Sequence, residues 1–412
     1  MWLDPRERIH APEIEGQWVN SPPLKSADLR GRVVLVDFWD YTCVNCLRTL
    51  PYLREWHRRY ATGRGEQSPP PGTRTEEQSP RLGRGGGKEV VEPGSAGILP
   101  ATTPLSRHPS STKRGESSPL LPADPNLVII GVHAPEFSFA RDPANVERAL
   151  RAEGLDYPVV LDNNYRTWHA FANRCWPAKY LIDARGYIRY VHLGEGRYGK
   201  TEEAIQRLLV EAGVKAPLPA PLEPLHASDR PGAICFPVTP ELYLGYARGR
   251  LGNESGYAAD QVADYAPAGK RRPDVAYLEG PWFAGRELIA ACPLDGRESR
   301  LRVVYTAAEV NMVLAPPDPA NFPMAGLPGG EGATLVVCQD GRPLPPENRG
   351  ADVLALDGET VIHVTGPRMY RLVRNPEFGP RELEIWTRRP GFEAYAFTFV
   401  ACADSAADEA AS

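Results

Sequence analysis

The stretch GRVVLVDFWDYTCVNCLRTLPYLREWHRRY, residues 31–60, decides the fold of the first half of the chain. Its first part, VVLVDFW, is a continuous apolar run that is typical of a strand buried on both faces. Its second part carries apolar side chains at helical spacing, at Leu47, Leu50, Leu53, Trp56 and Tyr60. The pattern therefore predicts a strand followed directly by a helix, which Pro51 is expected to kink.

The motif CVNC lies where this strand meets this helix, which is the context that a redox-active cysteine pair requires. Cys43 faces the unpaired backbone N–H groups and the positive end of the helix dipole, and both favour a thiolate. We therefore expect the pKa of Cys43 to fall from about 8.5 towards ~3.5–7.5, which makes Cys43 the nucleophile. Cys46, one helical turn further along, is placed to attack the mixed disulfide and release the partner.

Two more residues near the motif are candidates for the same chemistry. Asp37 lies inside the apolar strand, where a carboxylate is costly unless it has a partner or a function. We expect Asp37 to accept a proton from Cys46, and the alternative is a solvated aspartate on an edge strand. Arg48 lies a turn beyond Cys43 and is expected either to add positive potential or to be an ordinary exposed arginine.

The next ordered segment continues the alternation of strands and helices. LVIIGVH predicts a buried strand, YPVVLD a short strand, and AKYLID with YIRYVHLG an antiparallel hairpin. Asp142 and Pro143 are expected to open a helix that Gly154 closes, and NNYRTWHAFA is expected to form a short helix. Thr201 is the predicted N-cap of the last helix. This order predicts a mixed sheet with helices on both faces.

The rest of the chain has a different composition. Of the 65 residues at 61–125, 21 are glycine or proline and none is aromatic, so we interpret this segment as a disordered insertion. A Pro-rich linker is predicted at 213–230. Short β runs separated by turn residues fill 231–403 and predict an all-β sandwich of jelly-roll type. Residues 404–412 are interpreted as a disordered polar tail.

Three blocks of the first half resemble the TlpA/DipZ-like branch of thioredoxin-fold proteins. They are WDYTCVNCLRTLPYL, GVHAPEFSFARDPANV and YPVVLDNNYRTWHAFANRCWPAKYLIDARGYIRYVHLGEGRY. The similarity covers about residues 10–60 and 126–212, which together with the insertion form a predicted redox domain at 10–212. The region 235–402, with ELYLGYARG, PRMYRLV and FEAYAFTF, resembles the β-sandwich domain of DipZ-like proteins, which looks like a carbohydrate-binding module.

The resemblance implies an α/β thioredoxin fold and a thiol–disulfide oxidoreductase of the redoxin type, and no cofactor is predicted. By position it makes Cys43 the nucleophile, Cys46 the resolving thiol and Asp37 the buried carboxylate. It places Pro177 in a cis-proline loop that faces the disulfide. The candidates for the surroundings of the site are Trp39, Tyr41, Arg48, Glu136, Cys175 and Trp176.

Two of these surrounding residues carry explicit alternatives. Glu136 follows LVIIGVH, whose carboxyl end is expected to neighbour that of VVLVDFW, so it either borders the disulfide or is an ordinary loop carboxylate. Cys175 is expected to be a buried inert thiol, and the alternatives are a third redox thiol or an off-pathway disulfide.

The sequence departs from the DipZ-like pattern in three ways. Cys175 stands where an aromatic residue such as tyrosine is expected, and the insertion interrupts the core after the active-site helix. DipZ-like proteins often carry an N-terminal membrane electron-transfer domain that this sequence lacks, so the reductant or oxidant is an unidentified partner.

Three other functions compete with disulfide exchange. A thiol peroxidase is the first, but such sites typically place a proline before the cysteine, and VDFWDY has none. A structural zinc site needs four ligands, and no second CxxC or HxxxH is present. The third is a binding protein whose β-sandwich recognises a glycan or protein ligand, with Trp282 and Trp386 as sugar-stacking faces or, alternatively, as core residues.

Composition and charge narrow the partners and the compartment. The net charge of −5 gives no basic excess for nucleic acid, and no apolar run reaches the roughly 20 residues of a membrane span. The expected partners are therefore protein thiols and disulfides. The N-terminus as written carries no signal peptide and predicts a cytoplasmic protein, whereas a mis-assigned start would make it extracytoplasmic. The dispersed cysteines, among them Cys235, Cys292, Cys338 and Cys402, are expected to be buried free thiols, or two disulfides after export.

Overall fold

The computed structural model describes residues 1–4, 8–61, 127–233, 236–294, 296–318, 321 and 333–401. Apart from Ala61, the predicted insertion lies outside these residues, and so do the predicted tail, Cys235 and Cys402. The domain boundaries drawn from the sequence stay predictions.

The first part of the chain forms an open α/β sheet. Its strands and helices are β1 (Gln17–Val19), β2 (Val33–Trp39), α1 (Val44–Trp56), β3 (Leu127–His133), α2 (Pro143–Ala152), β4 (Val159–Leu161), α3 (Arg166–Ala170), β5 (Ala178–Ile182), β6 (Ile188–Leu193) and α4 (Tyr198–Glu211). Within the described residues the strand order is β1-β4-β3-β2-β5-β6. The pairs β2–β3 and β3–β4 are parallel, whereas β1, β5 and β6 run antiparallel to their neighbours. This is the thioredoxin-like fold that the resemblance implied.

Strand β2 is buried on both faces, as its continuous apolar run predicted. Leu35 and Trp39 belong to a core shared with α1, α2 and α4, while Val36 and Phe38 belong to a second core shared with α3. Successive side chains of a strand point to opposite faces, so Asp37 lies on the face that α1 covers. The order of the strand therefore places a carboxylate beneath the helix that carries the cysteines.

The sequence predicted the residues that begin and end α2 correctly, but the predicted N-cap of α4 is wrong. The carboxylate of Asp142 accepts a hydrogen bond from the backbone N–H of Ala144 at 2.9 Å, and Gly154 follows the helix with φ of +60°. In contrast, α4 begins at Tyr198, and Thr201 lies inside its first turn rather than at the N-cap. The Thr201 hydroxyl instead donates to the backbone carbonyl of Arg197 at 3.5 Å, a bond within the helix that its residue type did not reveal.

The second part of the chain is built from antiparallel strands. They are β7 (Leu242–Tyr243), β8 (Val262–Tyr265), β9 (Ala276–Ala284), β10 (Ile289–Ala291), β11 (Ser299–Thr306), β12 (Glu309–Ala315), β13 (Ala333–Gln339), β14 (Arg342–Pro343), β15 (Leu354–Leu356), β16 (Glu359–Val364), β17 (Arg368–Arg374), β18 (Pro380–Thr387) and β19 (Glu393–Val400). Strand β9 joins two sheets, β15-β16-β13-β18-β11-β9 and β9-β10-β19-β12-β17. Leu301 and Ile385 from the first sheet share one core with Met312 and Phe397 from the second. The jelly-roll connectivity and the likeness to a carbohydrate-binding module stay predictions.

The tryptophans considered for sugar stacking belong to the packed interior of this second part. Trp282 is 0% exposed and Trp386 is 7% exposed. The guanidinium groups of Arg300 and Arg388 lie 5.0 and 4.3 Å from the centre of the Trp386 ring. Both tryptophans are therefore core residues, as the second interpretation of the sequence predicted.

Gly280 is the residue at which β9 passes from one sheet to the other, because the residues before it pair with β11 and it begins the pairing with β8. Its φ is +78°, and a Cβ added there would lie 2.1 Å from the backbone oxygen of Glu298. We expect Gly280→Ala to lower the free energy of unfolding by about 2 kcal/mol or more, measured by urea titration. Gly379→Ala is the matched control, since its added Cβ meets nothing within 4 Å. Equal free energies of unfolding for the two variants would contradict the close approach of Gly280 to the backbone of Glu298.

Candidate active site

The two cysteines of the CVNC motif occupy unequal positions at the start of α1. Cys43 is the N-cap residue, with extended backbone angles, and its Sγ accepts a hydrogen bond from the backbone N–H of Cys46 at 3.3 Å. Cys43 is partly exposed, whereas Cys46 is fully buried, and the structure describes both as free thiols. Cys43 is therefore accessible from solvent, whereas Cys46 is not.

Burial raises the pKa of the Cys46 thiol well above its ordinary value, and the hydrogen bond and charge interaction with Cys43 raise it further. Cys46 is consequently protonated near neutral pH. It needs a base before it can act as a nucleophile.

Asp37 provides a carboxyl group on the same face of the sheet. It is 1% exposed, which excludes the solvated edge-strand alternative. Burial raises the pKa of Asp37 from 3.8 to about 7, against the opposing effect of the positive charge of Lys179. Neither carboxyl oxygen has a hydrogen-bond partner among the described residues, so the group is held in place by strand geometry rather than by bonds.

Lys179 is a site residue that the sequence reasoning missed. It lies in β5 directly opposite Asp37 in β2 and is 0% exposed. Its Nζ donates a hydrogen bond to the backbone oxygen of Gly194 at 3.5 Å. The signal was present, because a lysine within the apolar run AKYLI is as unusual as the aspartate within VVLVDFW.

The turn before Cys43 is fixed by Asp40, which the sequence reasoning also passed over. One oxygen of its buried carboxylate accepts bonds from the N–H of Thr42 at 2.7 Å and from the Thr42 hydroxyl at 2.5 Å. The other oxygen accepts the backbone N–H of Glu136 at 2.8 Å. The Nε2 atom of His133 lies 3.5 Å from Asp40, and burial lowers the pKa of His133 to about 3, so the ring is neutral. Asp40 thus ties the cysteine turn to the loop after β3.

The peptide bond between Trp176 and Pro177 is cis, as the resemblance implied. The indole N–H of Trp176 donates to the backbone oxygen of Ala134 at 3.1 Å, which connects this loop to the end of β3. Cys175 is partly buried, and its sulfur lies 3.8 Å from the backbone oxygen of Pro177. It is a free thiol in the structure and forms no disulfide there.

The other near-site candidates serve as packing or bonded groups. Trp39 and Tyr41 are buried and place their rings 5.4 and 5.5 Å from that of His133. The Arg48 side chain is only 10% exposed and forms an ion pair of 3.2 Å with Glu195. The description of Arg48 as an ordinary exposed arginine is therefore wrong, because the loop after β6 covers it.

Glu136 joins the active-site region to the β-sheet part of the chain. Its Oε1 accepts the hydroxyl of Tyr243 at 2.7 Å and the guanidinium of Arg248 at 3.0 Å. Beside it, the ring of Phe137 lies 5.2 Å from that of Tyr395, and Val44 and Leu47 of α1 pack against the same apolar cluster. Glu136 is therefore not an ordinary loop carboxylate, since it forms part of a contact between the two parts of the chain.

The hydroxyl of Tyr243 lies between two carboxyl groups, 2.7 Å from Glu136 and 2.7 Å from Glu241. One hydroxyl hydrogen serves one carboxylate at a time. The carboxyl groups of Glu136 and Glu241 therefore compete for this hydroxyl hydrogen.

Replacing Tyr243 by phenylalanine removes the hydrogen bonds of its hydroxyl to Glu136 and Glu241 and leaves the bond between Glu136 and Arg248. We expect the Glu136 loop to exchange its amide hydrogens about tenfold faster or more, because a bond to a charged group contributes about 1.5–3 kcal/mol. Hydrogen exchange followed by mass spectrometry measures the change. Tyr246→Phe is the control, since its hydroxyl bonds only the exposed Asp260, and unchanged exchange in Tyr243→Phe would show that the contact is not held by this hydroxyl.

The described residues contain neither a metal-binding cluster nor a membrane-spanning helix. No group of three or more His, Cys, Asp or Glu side chains there is arranged to hold a metal ion. No helix there has the length and apolar character needed to cross a membrane.

Known proteins resemble this chain along most of its length. The sequence model of a family described as "Thioredoxin like C-terminal domain" matches residues 239–399. Protein DipZ of Mycobacterium tuberculosis is 28% identical over 400 residues, which are 94% of this chain and 42% of DipZ. NHL repeat-containing protein 2 of Gallus gallus is 27% identical over 203 residues, 48% of this chain and 20% of its own. Thiol-disulfide oxidoreductase YkuV of Bacillus subtilis is 26% identical over 85 residues, 21% of this chain and 57% of its own.

The chain thus spans less than half the length of the DipZ protein that it matches. These relatives confirm the resemblance to DipZ-like thioredoxin-fold proteins and agree with the enzyme class that it implied. A solved thioredoxin-like superfamily protein aligns with 50% of this chain and 99% of its own at 20% identity and a TM-score of 0.32, which is too low to add to the fold assignment.

Proposed function

We propose that this chain is a thiol–disulfide oxidoreductase that exchanges Cys43 and Cys46 with the disulfides or dithiols of protein partners. The observation that supports this most directly is the inequality of the two cysteines. Cys43 is partly exposed at a helix N-terminus, whereas Cys46 is buried on the face of the sheet that carries Asp37. Two-step exchange requires an accessible nucleophile that attacks the partner and a second, neighbouring thiol that attacks the resulting mixed disulfide.

In the first step the sulfur of Cys43 attacks one sulfur of a partner disulfide. A bond forms between Cys43 and the partner, the partner's S–S bond breaks, and the other partner sulfur leaves as a thiolate. In the second step Asp37 accepts the proton of Cys46, and the Cys46 thiolate attacks Cys43. The second partner sulfur then leaves as a thiolate, and two electrons have passed from the cysteine pair to the partner. Reversal of the same steps oxidises a dithiol partner.

The loops around Cys43 suit a protein partner. The cis-Pro177 loop and the Glu136 loop both lie at the edge of the sheet where β2 and β3 end, since Trp176 bonds Ala134 after β3 and Glu136 bonds Asp40 after β2. The β-sheet part packs against α1 beside this edge, so it borders the approach to Cys43. That the β-sheet part binds a glycan or protein ligand stays a prediction from the sequence, and so does the compartment.

Catalysed reduction of insulin by dithiothreitol tests the proposed activity. The wild-type protein is expected to shorten the lag before insulin precipitates, and Cys43→Ser is expected to behave like buffer. Consumption of hydrogen peroxide is measured with the same samples. Peroxide turnover without insulin reduction would replace the proposal by the thiol peroxidase alternative.

A further inference from the structure

We propose that Lys179 is a positioning residue for the second step, and that its buried ammonium group keeps the Asp37 carboxyl group ionised so that it can accept the proton of Cys46. This inference rests on the proposed function, because the step it concerns is the resolving attack of Cys46. Lys179 lies outside the cysteine turn, in the apolar strand β5.

The strand pairing places the two charged residues together. Asp37 and Lys179 are direct partners across the antiparallel pair β2–β5, so their side chains leave the sheet on the same face. Leu35 and Leu181, each two residues away on the same strands, belong to the core that also contains Cys46. The carboxyl group, the ammonium group and the buried thiol therefore share one side of the sheet beneath α1.

Both charged groups are buried, and burying a charged side chain lowers the stability of the folded protein. The exposed fractions are 1% for Asp37 and 0% for Lys179. Burying either charge costs several kcal/mol of hydration, and the attraction between the two groups offsets only part of that cost, as the raised pKa of Asp37 shows. The only hydrogen bond described for the Lys179 ammonium group is the one to Gly194 at 3.5 Å, and the Tyr198 ring centre lies 5.5 Å away. Burial lowers the pKa of Lys179, and among the neighbouring acidic groups that oppose this effect Asp37 contributes most, followed by Cys46 and Glu195.

The positive charge of Lys179 also matters for the ionisation of the Asp37 carboxyl group. A protonated carboxyl group cannot accept a proton, so the base must be ionised when Cys46 is to react. With no hydrogen bond to either oxygen among the described residues, the positive charge of Lys179 is the main influence favouring ionisation.

The other titratable groups near the pair are accounted for. Asp37 interacts with the buried thiol of Cys46 in α1 and with the phenol of Tyr157 before β4. Lys179 interacts with Cys46 in α1, with Glu195 after β6 and with Cys175 before β5. Its charge also acts on His192 in β6. Burial and the charge of Lys179 both lower the pKa of His192, so this ring is neutral at the pH where Asp37 titrates.

The experiment follows the two steps separately with 5,5′-dithiobis(2-nitrobenzoate). Attack by Cys43 releases one coloured thiolate, and attack by Cys46 on the resulting mixed disulfide releases a second. Cys43→Ser measures the background from other thiols, and its trace is subtracted. The rate of the second release is recorded from about pH 5 to 9 for the wild type, Lys179→Met and Lys200→Met, whose lysine pairs with Glu203 on the surface.

Lys179→Met is expected to leave the first release unchanged and to move the pH midpoint of the second upwards by at least about one unit, because an opposite charge within reach changes a carboxyl pKa by about 1–3 units. At neutral pH the second release then falls about tenfold. Lys200→Met should reproduce the wild type. A Lys179→Met protein with the wild-type midpoint would overturn the inference, even if its stability is reduced.

A second measurement uses only the wild-type protein and covers the case in which Lys179→Met does not fold. The charge state of the Lys179 side chain is read from its Nζ resonance by ¹⁵N NMR. An ammonium group at neutral pH is expected, and a neutral amine would overturn the inference. Absence of both releases in the wild type would instead refute the proposed function, so the two failures are distinguishable.

Discussion

Replacing Cys46 by serine is expected to stop the reaction after its first step. Cys43 keeps its exposure and its place at the start of α1, so it still attacks a partner disulfide. The serine hydroxyl cannot resolve the product, and a mixed disulfide accumulates. Turnover with insulin should fall by more than about 10³-fold, as when an essential reacting group is removed from other enzymes. Non-reducing electrophoresis and mass spectrometry measure the trapped species.

Cys43→Ser is the matched control for this experiment. It should form no mixed disulfide, because Cys46 is buried and burial raises its pKa well above the ordinary value. Alkylation of the reduced wild type at slightly acid pH should modify Cys43 before Cys46. Faster modification of Cys46, or trapping by Cys43→Ser instead of Cys46→Ser, would reverse the assigned roles.

Replacing Asp37 by asparagine is expected to slow resolution while making the protein more stable. Loss of a positioned base lowers the rate of the step it serves by about 10²–10⁴-fold. The first release of coloured thiolate should be unchanged, since Asp37 lies beneath Cys46 and not at the exposed sulfur. The second release should slow and lose its midpoint near neutral pH.

The stability gain has a defined dependence on pH. Burial raises the pKa of Asp37 in the folded state to about 7, above its unfolded value of 3.8. A raised pKa means that the stability associated with this group is fully present below pH about 4, is lost as the pH rises towards 7, and is absent above it. At about 1.4 kcal/mol per unit, Asp37→Asn gains up to about 4 kcal/mol above neutral pH and nothing at about pH 4.

Urea unfolding at both pH values measures this gain. Asp357→Asn is the control, because Asp357 is exposed in the turn after β15 and its substitution should not change stability with pH in this way. An Asp37→Asn variant that is equally stable relative to the wild type at both pH values would show that Asp37 is not a strained buried acid.

The local part of the site could be predicted from the sequence because its signals are local. A buried strand, a CxxC motif and a helix within residues 31–60 determine where Cys43, Cys46 and Asp37 lie relative to one another. The succession of strands and helices along the chain from β2 to α4 and the hairpin β5–β6 were also predictable, since apolar runs and turn residues mark their ends, whereas β1 was not predicted. Thr201 shows the limit of such signals, because a threonine within the first turn bonds the helix backbone as readily as one at the N-cap.

The non-local part could not be predicted, because it depends on which segments meet. Lys179 faces Asp37 only through the register of β2 and β5, and Arg48 is covered only because the loop carrying Glu195 folds over α1. The bond between Glu136 and Tyr243 joins residues 107 positions apart in the chain. A single sequence contains no pattern that pairs such residues.

The redox equilibrium of the cysteine pair tests the central claim most directly. The protein is equilibrated across a series of thiol–disulfide buffers, and the Cys43–Cys46 disulfide is quantified by mass spectrometry after the free thiols are trapped. We expect one reversible two-electron transition with a midpoint between about −270 and −120 mV, which either cysteine-to-serine substitution abolishes. A pair that stays reduced throughout, or a disulfide that resists reduction below about −300 mV as structural disulfides do, would contradict it.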